Sequence, residues 1–143
     1  MARRPHRPDE LVTEGTPAVD AMVDRARATL PHRPTADELP SLRSRGALLV
    51  DIRPVHQRER DGVLPGAVVV DRNVLEWRLD ATSPYSLAQA PRPDQVVVLV
   101  CDEGFASSLA AAALQQLGLR GATDLDGGYQ AWLRCTAAVS PEG

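Results

Sequence analysis

Between Val96 and Ser108 the chain reads Val-Val-Val-Leu-Val-Cys-Asp-Glu-Gly-Phe-Ala-Ser-Ser, followed by the Ala-rich stretch Leu109 to Leu114. An apolar run that ends on a cysteine, turns at a glycine and re-enters an Ala-rich segment describes a buried strand, a tight loop and a helix start. The first N–H groups of a helix lack intrahelical partners, and together with the helix dipole they favour negative charge at that end. Cys101 is therefore the candidate nucleophile, because sulfur reacts as its anion and such an environment stabilises the anion. Gly104 allows the backbone to fold closely around the sulfur. The amides of Asp102, Glu103, Gly104, Phe105, Ala106 and Ser107 are the expected cradle for a charged sulfur, and the Ser107 and Ser108 hydroxyls can cap the helix or donate to a bound anion.

In an open parallel sheet, ligands collect beyond the carboxyl ends of the strands. That rule brings Asp51 to Arg53, Asp71 to Arg72 and Asp126 to Gly128 near Cys101, and it makes Arg53 and Arg72 the candidate cations for an anionic substrate. Asp51 and Arg53 also read as a structural ion pair, the favoured interpretation for two such close opposite charges. Arg72 and Arg78, around Trp77, frame a substrate mouth or decorate a surface helix. Cys135, expected just beyond the last helix, reads as a half-buried thiol rather than a resolving cysteine. His6, His32 and His56 are scattered, so metal ligands at a recognisable spacing are lacking, and no Gly-rich cofactor or P-loop pattern occurs; no metal or cofactor is expected.

These residues need a scaffold, and the 143-residue length suits one domain. The chain is 43% hydrophobic but only 3% aromatic, so its core must be built from Val, Leu and Ala. All sixteen basic residues are Arg and they face nineteen acids, which argues against a nucleic-acid partner. No apolar run approaches the roughly 20 residues of a membrane span, and the basic start lacks the apolar core of a signal peptide, so a cytoplasmic location with free thiols is expected. The runs 47–51, 67–71 and 96–101, with a weaker one at 122–126, are continuously apolar rather than alternating, as strands covered on both faces are. Helical stretches at 54–60, 73–79, 105–117 and 128–134 alternate with them. The expected fold class is α/β: an open, mostly parallel sheet of four to five strands with helices on both faces. Residues 1–15 read as a flexible arm, 16–31 as an amphipathic helix, 35–135 as the domain and 136–143 as a tail. A helix from Thr35 to Gly46 is also signalled, with Pro40 threatening to break it. Residues 80–95, with Pro84, Pro91 and Pro93, read as an irregular loop.

The order of these motifs resembles the rhodanese-like domain, a sulfurtransferase family, over roughly Thr35 to Leu133. Leu49-Val-Asp-Ile-Arg53 is similar to its first strand, Gly62-Val-Leu-Pro-Gly-Ala67 to its Gly-His-Ile-Pro-Gly-Ala element, Cys101 to Ser107 to its active-site loop, and Gly127-Gly128 with Trp132 to its closing helix. The resemblance implies that Cys101 takes up a sulfane sulfur as a persulfide and passes it to a thiol or another small nucleophile, on a small molecule or a protein. The alternative is a non-catalytic interaction or persulfide-sensing module. Family members often carry Arg where this chain has Ala106, and the loop is acidic at Asp102 and Glu103, which disfavours thiosulfate as donor. Phosphatases of the Cys-x5-Arg type use the same fold, but the position of their phosphate-clamping arginine is Ser107 here.

Overall fold

The computed structural model describes residues 15–138. The expected arm, apart from Gly15, and the end of the expected tail beyond Ala138 lie outside the described residues. Four short runs form strands: β1 (Leu48–Asp51), β2 (Val68–Val69), β3 (Val97–Val100) and β4 (Ala122–Asp124). All pair in parallel, in the order β2-β1-β3-β4. Between β1 and β2 lies α3 (Val55–Asp61), between β2 and β3 α4 (Leu75–Leu79), and between β3 and β4 α5 (Ala106–Gln116). Ahead of β1 come α1 (Ala18–Arg27) and α2 (Leu39–Ser44), and α6 (Gly128–Ala138) closes the fold.

The continuous apolarity of the central strands has the meaning expected of it. Successive residues point to opposite faces, so β3 sends Val97 and Leu99 into one core cluster, with Leu75, Leu79, Ala110 and Leu114 of α4 and α5. Val98 and Val100 enter the other, with Leu39, Leu125 and Tyr129. Every residue of β3 is buried. The sheet edge is different: β2 is two residues long, with Val68 half-buried and Val69 exposed.

Sequence signals located the helices closely, and the departures have local causes. Pro17 is the N-cap of α1, the start expected from its fixed φ. The helix expected from Thr35 to Gly46 is divided into a 3-10 turn (Ala36–Glu38) and α2, with Pro40 in the first turn of α2, where its missing N–H costs nothing. α6 runs four residues past Arg134, so Cys135 lies within the helix rather than after it. Thr136 directs its hydroxyl to the carbonyls of Trp132 and Leu133, consistent with an unbroken helical turn.

A buried ion pair locks the end of β1. Arg53 Nη2 lies 2.8 Å from Asp51 Oδ2 and 2.9 Å from the Gly62 carbonyl, and the Arg53 amide donates to Asp51 Oδ1 at 3.0 Å. Arg53 is 1% exposed, and its guanidinium carbon sits 3.6 Å from the Tyr129 ring centre. Its Nη1 has no hydrogen-bond partner, so the aromatic face supplies the remaining stabilisation of this desolvated charge.

Two stability tests follow from this packing. Leu99→Ala should lower unfolding free energy by about 2 to 5 kcal/mol with an unchanged denaturant slope; a loss below about 1 kcal/mol would mean that the two-sided core is not tightly packed. Arg53→Met strands a buried carboxylate and should cost about 3 to 5 kcal/mol, more than the double replacement Asp51→Leu with Arg53→Met. Equal losses for the single and double variants in urea titrations would contradict the pairing.

Candidate functional site

Chain direction decides where a site can form. From β1 the chain moves outward to β2, whereas from β3 it moves the opposite way to β4, so the connections diverge beyond the carboxyl ends of β1 and β3. Such a divergence leaves a crevice. It is occupied by an open cleft of about 450 Å³ whose walls include Ile52, Pro54, Arg72, Cys101, Phe105 and Ala106.

Cys101 is 7% exposed and opens onto this cleft. Two backbone N–H groups converge on its Sγ, from Gly104 at 3.2 Å and Ser107 at 3.3 Å. The Ser107 amide belongs to the first turn of α5, so the strand-to-helix junction read from the sequence does aim helix N–H groups at the sulfur. The Cys101 thiol also donates to Ser107 Oγ at 3.1 Å, and the Ser107 hydroxyl donates to Asp124 Oδ2 at 2.7 Å.

Loop carbonyls point the other way. Cys101 O accepts from the Tyr129 amide at 2.8 Å and Asp102 O from the Gln130 amide at 3.0 Å, both in the first turn of α6. This requires close backbone contact. Gly104 has φ +90°, and a Cβ there would lie 2.9 Å from Gly127 N; a Cβ on Gly128 would lie 2.7 Å from the Cys101 and Asp102 carbonyl oxygens. The Gly127-Gly128 pair therefore lets α6 dock on the loop.

Beneath the sulfur lies a network that the sequence reading missed. Asp124, at the end of β4, is fully buried. It accepts from Ser107, from Ser108 at 2.8 Å and from Arg33 Nε at 2.7 Å, so the buried carboxylate has three donors. Burial alone would lower the Arg33 pKa; the hydrogen bond and charge of Asp124, with the charges of Asp126 and Cys101, more than reverse this and raise it above the usual arginine value. One signal was available, since a carboxylate inside a buried strand demands a partner. Arg33 and Arg27, which donates to the Gly104 carbonyl at 2.7 Å, carry no comparable local mark among so many arginines.

The expected site residues divide by location. Ser107 and Gly104 touch the sulfur, while Phe105 and Ala106 form exposed parts of the cleft wall. Glu103 is exposed at the rim. Asp102 Oδ1 is held by Gln130 Nε2 at 2.8 Å and by Arg60 Nη2 at 3.4 Å. Asp61 beside it is pulled below the usual carboxylate range, chiefly by its hydrogen bond to Arg60 and further by Gln130, against burial. Arg72 lines the cleft and pairs with Glu76 at 3.0 Å. Arg53 borders the cleft too, with its Nε and Nη2 held by Asp51 and the Gly62 carbonyl in the arrangement of a structural ion pair. Cys135 is half-buried, and Tyr129 and Trp132 pack together in the core, ring centres 5.3 Å apart. Among the described residues no group of three His, Cys, Asp or Glu side chains could hold a metal ion, and no helix is long and apolar enough to cross a membrane.

Gly128→Ala should force the loop off α6. We expect it to lower Tm by several degrees, at a cost of about 1 to 3 kcal/mol, and to speed hydrogen exchange of the Gly104 and Ser107 amides; unchanged exchange at both amides would contradict the docking argument.

Comparison with known proteins agrees with this architecture. The family model of the rhodanese-like domain matches residues 35–135. The chain is 31% identical over 122 residues to the maize adenylyltransferase and sulfurtransferase MOCS3-1, covering 85% of this chain and 24% of that protein, so it spans about a quarter of the relative's length. Among solved structures, a Rhodopseudomonas palustris protein of unknown function described as a possible tyrosine phosphatase is 30% identical, with a TM-score of 0.73 over 94% of this chain and 96% of that one. The human single-domain sulfurtransferase TSTD1 is 28% identical, with a TM-score of 0.61 over 71% and 95%. With the parallel sheet, the Cys101 loop and the match over most of the chain in agreement, the protein belongs to the rhodanese-like domain family.

Proposed function

We propose that the protein is a sulfurtransferase that carries sulfane sulfur as a persulfide on Cys101. The observation that carries this reading is the convergence of the Gly104 and Ser107 N–H groups on Sγ at the floor of an open cleft. Fixed donors aimed where charge resides stabilise it without reorganisation.

The Cys101 thiolate attacks the outer sulfur of a donor R–S–SH. The donor's S–S bond breaks, its electron pair leaves with R–S⁻, and the enzyme holds Cys101-S–SH. An acceptor thiolate then attacks the terminal sulfur, forming a new S–S bond and returning the Cys101 thiolate. Charge and oxidation level balance over the cycle, so neither metal nor redox cofactor is required. Ser107 assists the change of charge: its single hydroxyl proton can turn from Asp124 to the anionic sulfur, while Ser108 and Arg33 continue to satisfy Asp124.

Donor choice follows from charge at the rim. Asp102 and Glu103 meet an incoming donor before the sulfur does, so a neutral or protein-bound persulfide is favoured over dianionic thiosulfate. Phosphoryl transfer is disfavoured because the loop offers Ser107, buried and bound to Asp124, where a phosphatase of this fold needs arginine.

Intact-mass spectrometry after incubation with a small-molecule persulfide should show one added sulfur on the wild type and on Cys135→Ser, and none on Cys101→Ser. Equal loading of Cys101→Ser, or no loading of the wild type by any donor, overturns the proposal. The double variant Asp102→Asn with Glu103→Gln should raise kcat/KM for thiosulfate by roughly threefold or more relative to the persulfide; an unchanged ratio would remove the acidic rim as the cause of selectivity.

A further inference from the structure

The amides that face Cys101 Sγ are useful only while the loop keeps one orientation, and Gly104 makes that orientation easy to lose. A glycine at φ +90° tolerates rotation of the peptide plane that follows it. If the Gly104–Phe105 peptide rotated, its carbonyl oxygen could face the sulfur and repel any negative charge there. Something must hold that carbonyl outward.

Two guanidinium groups do so from behind the loop. Arg27 Nη2 donates to the Gly104 carbonyl at 2.7 Å and Arg33 Nη2 at 3.3 Å. Arg27 Nε also donates to Ser108 Oγ at 3.0 Å, and its guanidinium carbon lies 5.4 Å from the centre of the Phe105 ring. One side chain thus holds the loop carbonyl, the first turn of α5 and an aromatic of the cleft wall. Arg33 is itself fixed: Thr123 Oγ1 donates to His32 O at 3.1 Å and the Asp126 amide to Pro34 O at 2.9 Å, which pins its segment to the end of β4. Both arginines precede residues 35–135, the region matched by the family model. Within that region the loop has Ala106 and contributes no cation of its own.

We propose that Arg27 and Arg33 are positioning residues for Cys101, gripping the Gly104 carbonyl so that it stays turned away from the sulfur that the Gly104 and Ser107 N–H groups face. α1 is then part of the reaction apparatus rather than an appended helix. The role in turnover rests on the sulfurtransferase reading; the effect on Cys101 does not. The charged groups around the sulfur are Asp102 and Glu103 on the loop, Asp124 with Arg33 beneath it, Arg27 from α1, Arg72 on the cleft wall and the Asp51–Arg53 pair ending β1. Of these, Arg27 has no acidic partner within ion-pair distance among the described residues, so its removal changes the local charge most directly.

The test uses the full chain with Arg27→Gln and Arg27→Lys, and Arg33→Lys as a second site. The rate of iodoacetamide alkylation at Cys101, resolved from Cys135 by peptide mass, is measured against pH alongside Tm and the kcat and KM of sulfur loading. Arg27→Gln should retain Tm within a few degrees and move the alkylation curve to higher pH by about half a unit. It should lower kcat about tenfold with a smaller change in KM, less than the roughly hundredfold cost of displacing a reacting group outright. Arg27→Lys, which can still donate to the carbonyl, should recover much of both. Superimposable alkylation curves for all variants overturn the proposal, as does a shift that appears only together with a collapse in Tm. If the wild type takes up no sulfur but the curve still moves in Arg27→Gln and returns in Arg27→Lys, the positioning role stands and the sulfurtransferase reading alone fails.

Discussion

A sulfur that is to carry negative charge in a nearly dry site cannot have carbonyl oxygens facing it. This constraint accounts for the construction of the Cys101 loop. Amides of Gly104 and Ser107 point inward, while the carbonyls of Cys101, Asp102 and Gly104 point outward, and each outward carbonyl has a specific donor. Two of those donors are amides from the first turn of α6, which would otherwise lack partners. One helix start serves the sulfur and another serves the loop that surrounds it. Gly104 and Gly128 follow from the same requirement, since a side chain on either would separate the two backbones.

Charge around the loop is distributed from back to front. Behind it stand Arg27 and the Arg33–Asp124 pair, and at its mouth stand Asp102 and Glu103. Cations placed behind the loop hold the Gly104 carbonyl from that side without occupying the cleft. A loop arginine would do the opposite, supplying charge in the substrate's own space. The Asp124 carboxylate, saturated by Ser107, Ser108 and Arg33, keeps the first turn of α5 in register with the end of β4.

Much of this was legible in residue order. The continuous apolarity of 96–101, the glycine at 104 and the Ala-rich stretch that follows identified a buried strand, a loop and a helix, and so placed Cys101 at a helix start. The same reasoning overstated β2, where the apolar run 67–71 yields a two-residue edge strand with Val69 exposed, because apolarity alone does not report how far a strand extends or is covered. It also ended the last helix early, since nothing in Cys135-Thr-Ala-Ala138 stops a helix.

By itself the sequence determined the fold class, the strand-to-helix junction at Cys101 and the absence of an arginine from the loop, because each is expressed in neighbouring residues through period, turn chemistry or identity. Only the tertiary structure decided which arginines serve the site. Arg33 meets Asp124 across 91 residues and Arg27 meets Gly104 across 77. Local patterns cannot encode such meetings, because they exist only once the parallel sheet has set β4 beside β3 and α1 has packed on α5, bringing distant charges to a carbonyl and a carboxylate that burial leaves no water to satisfy.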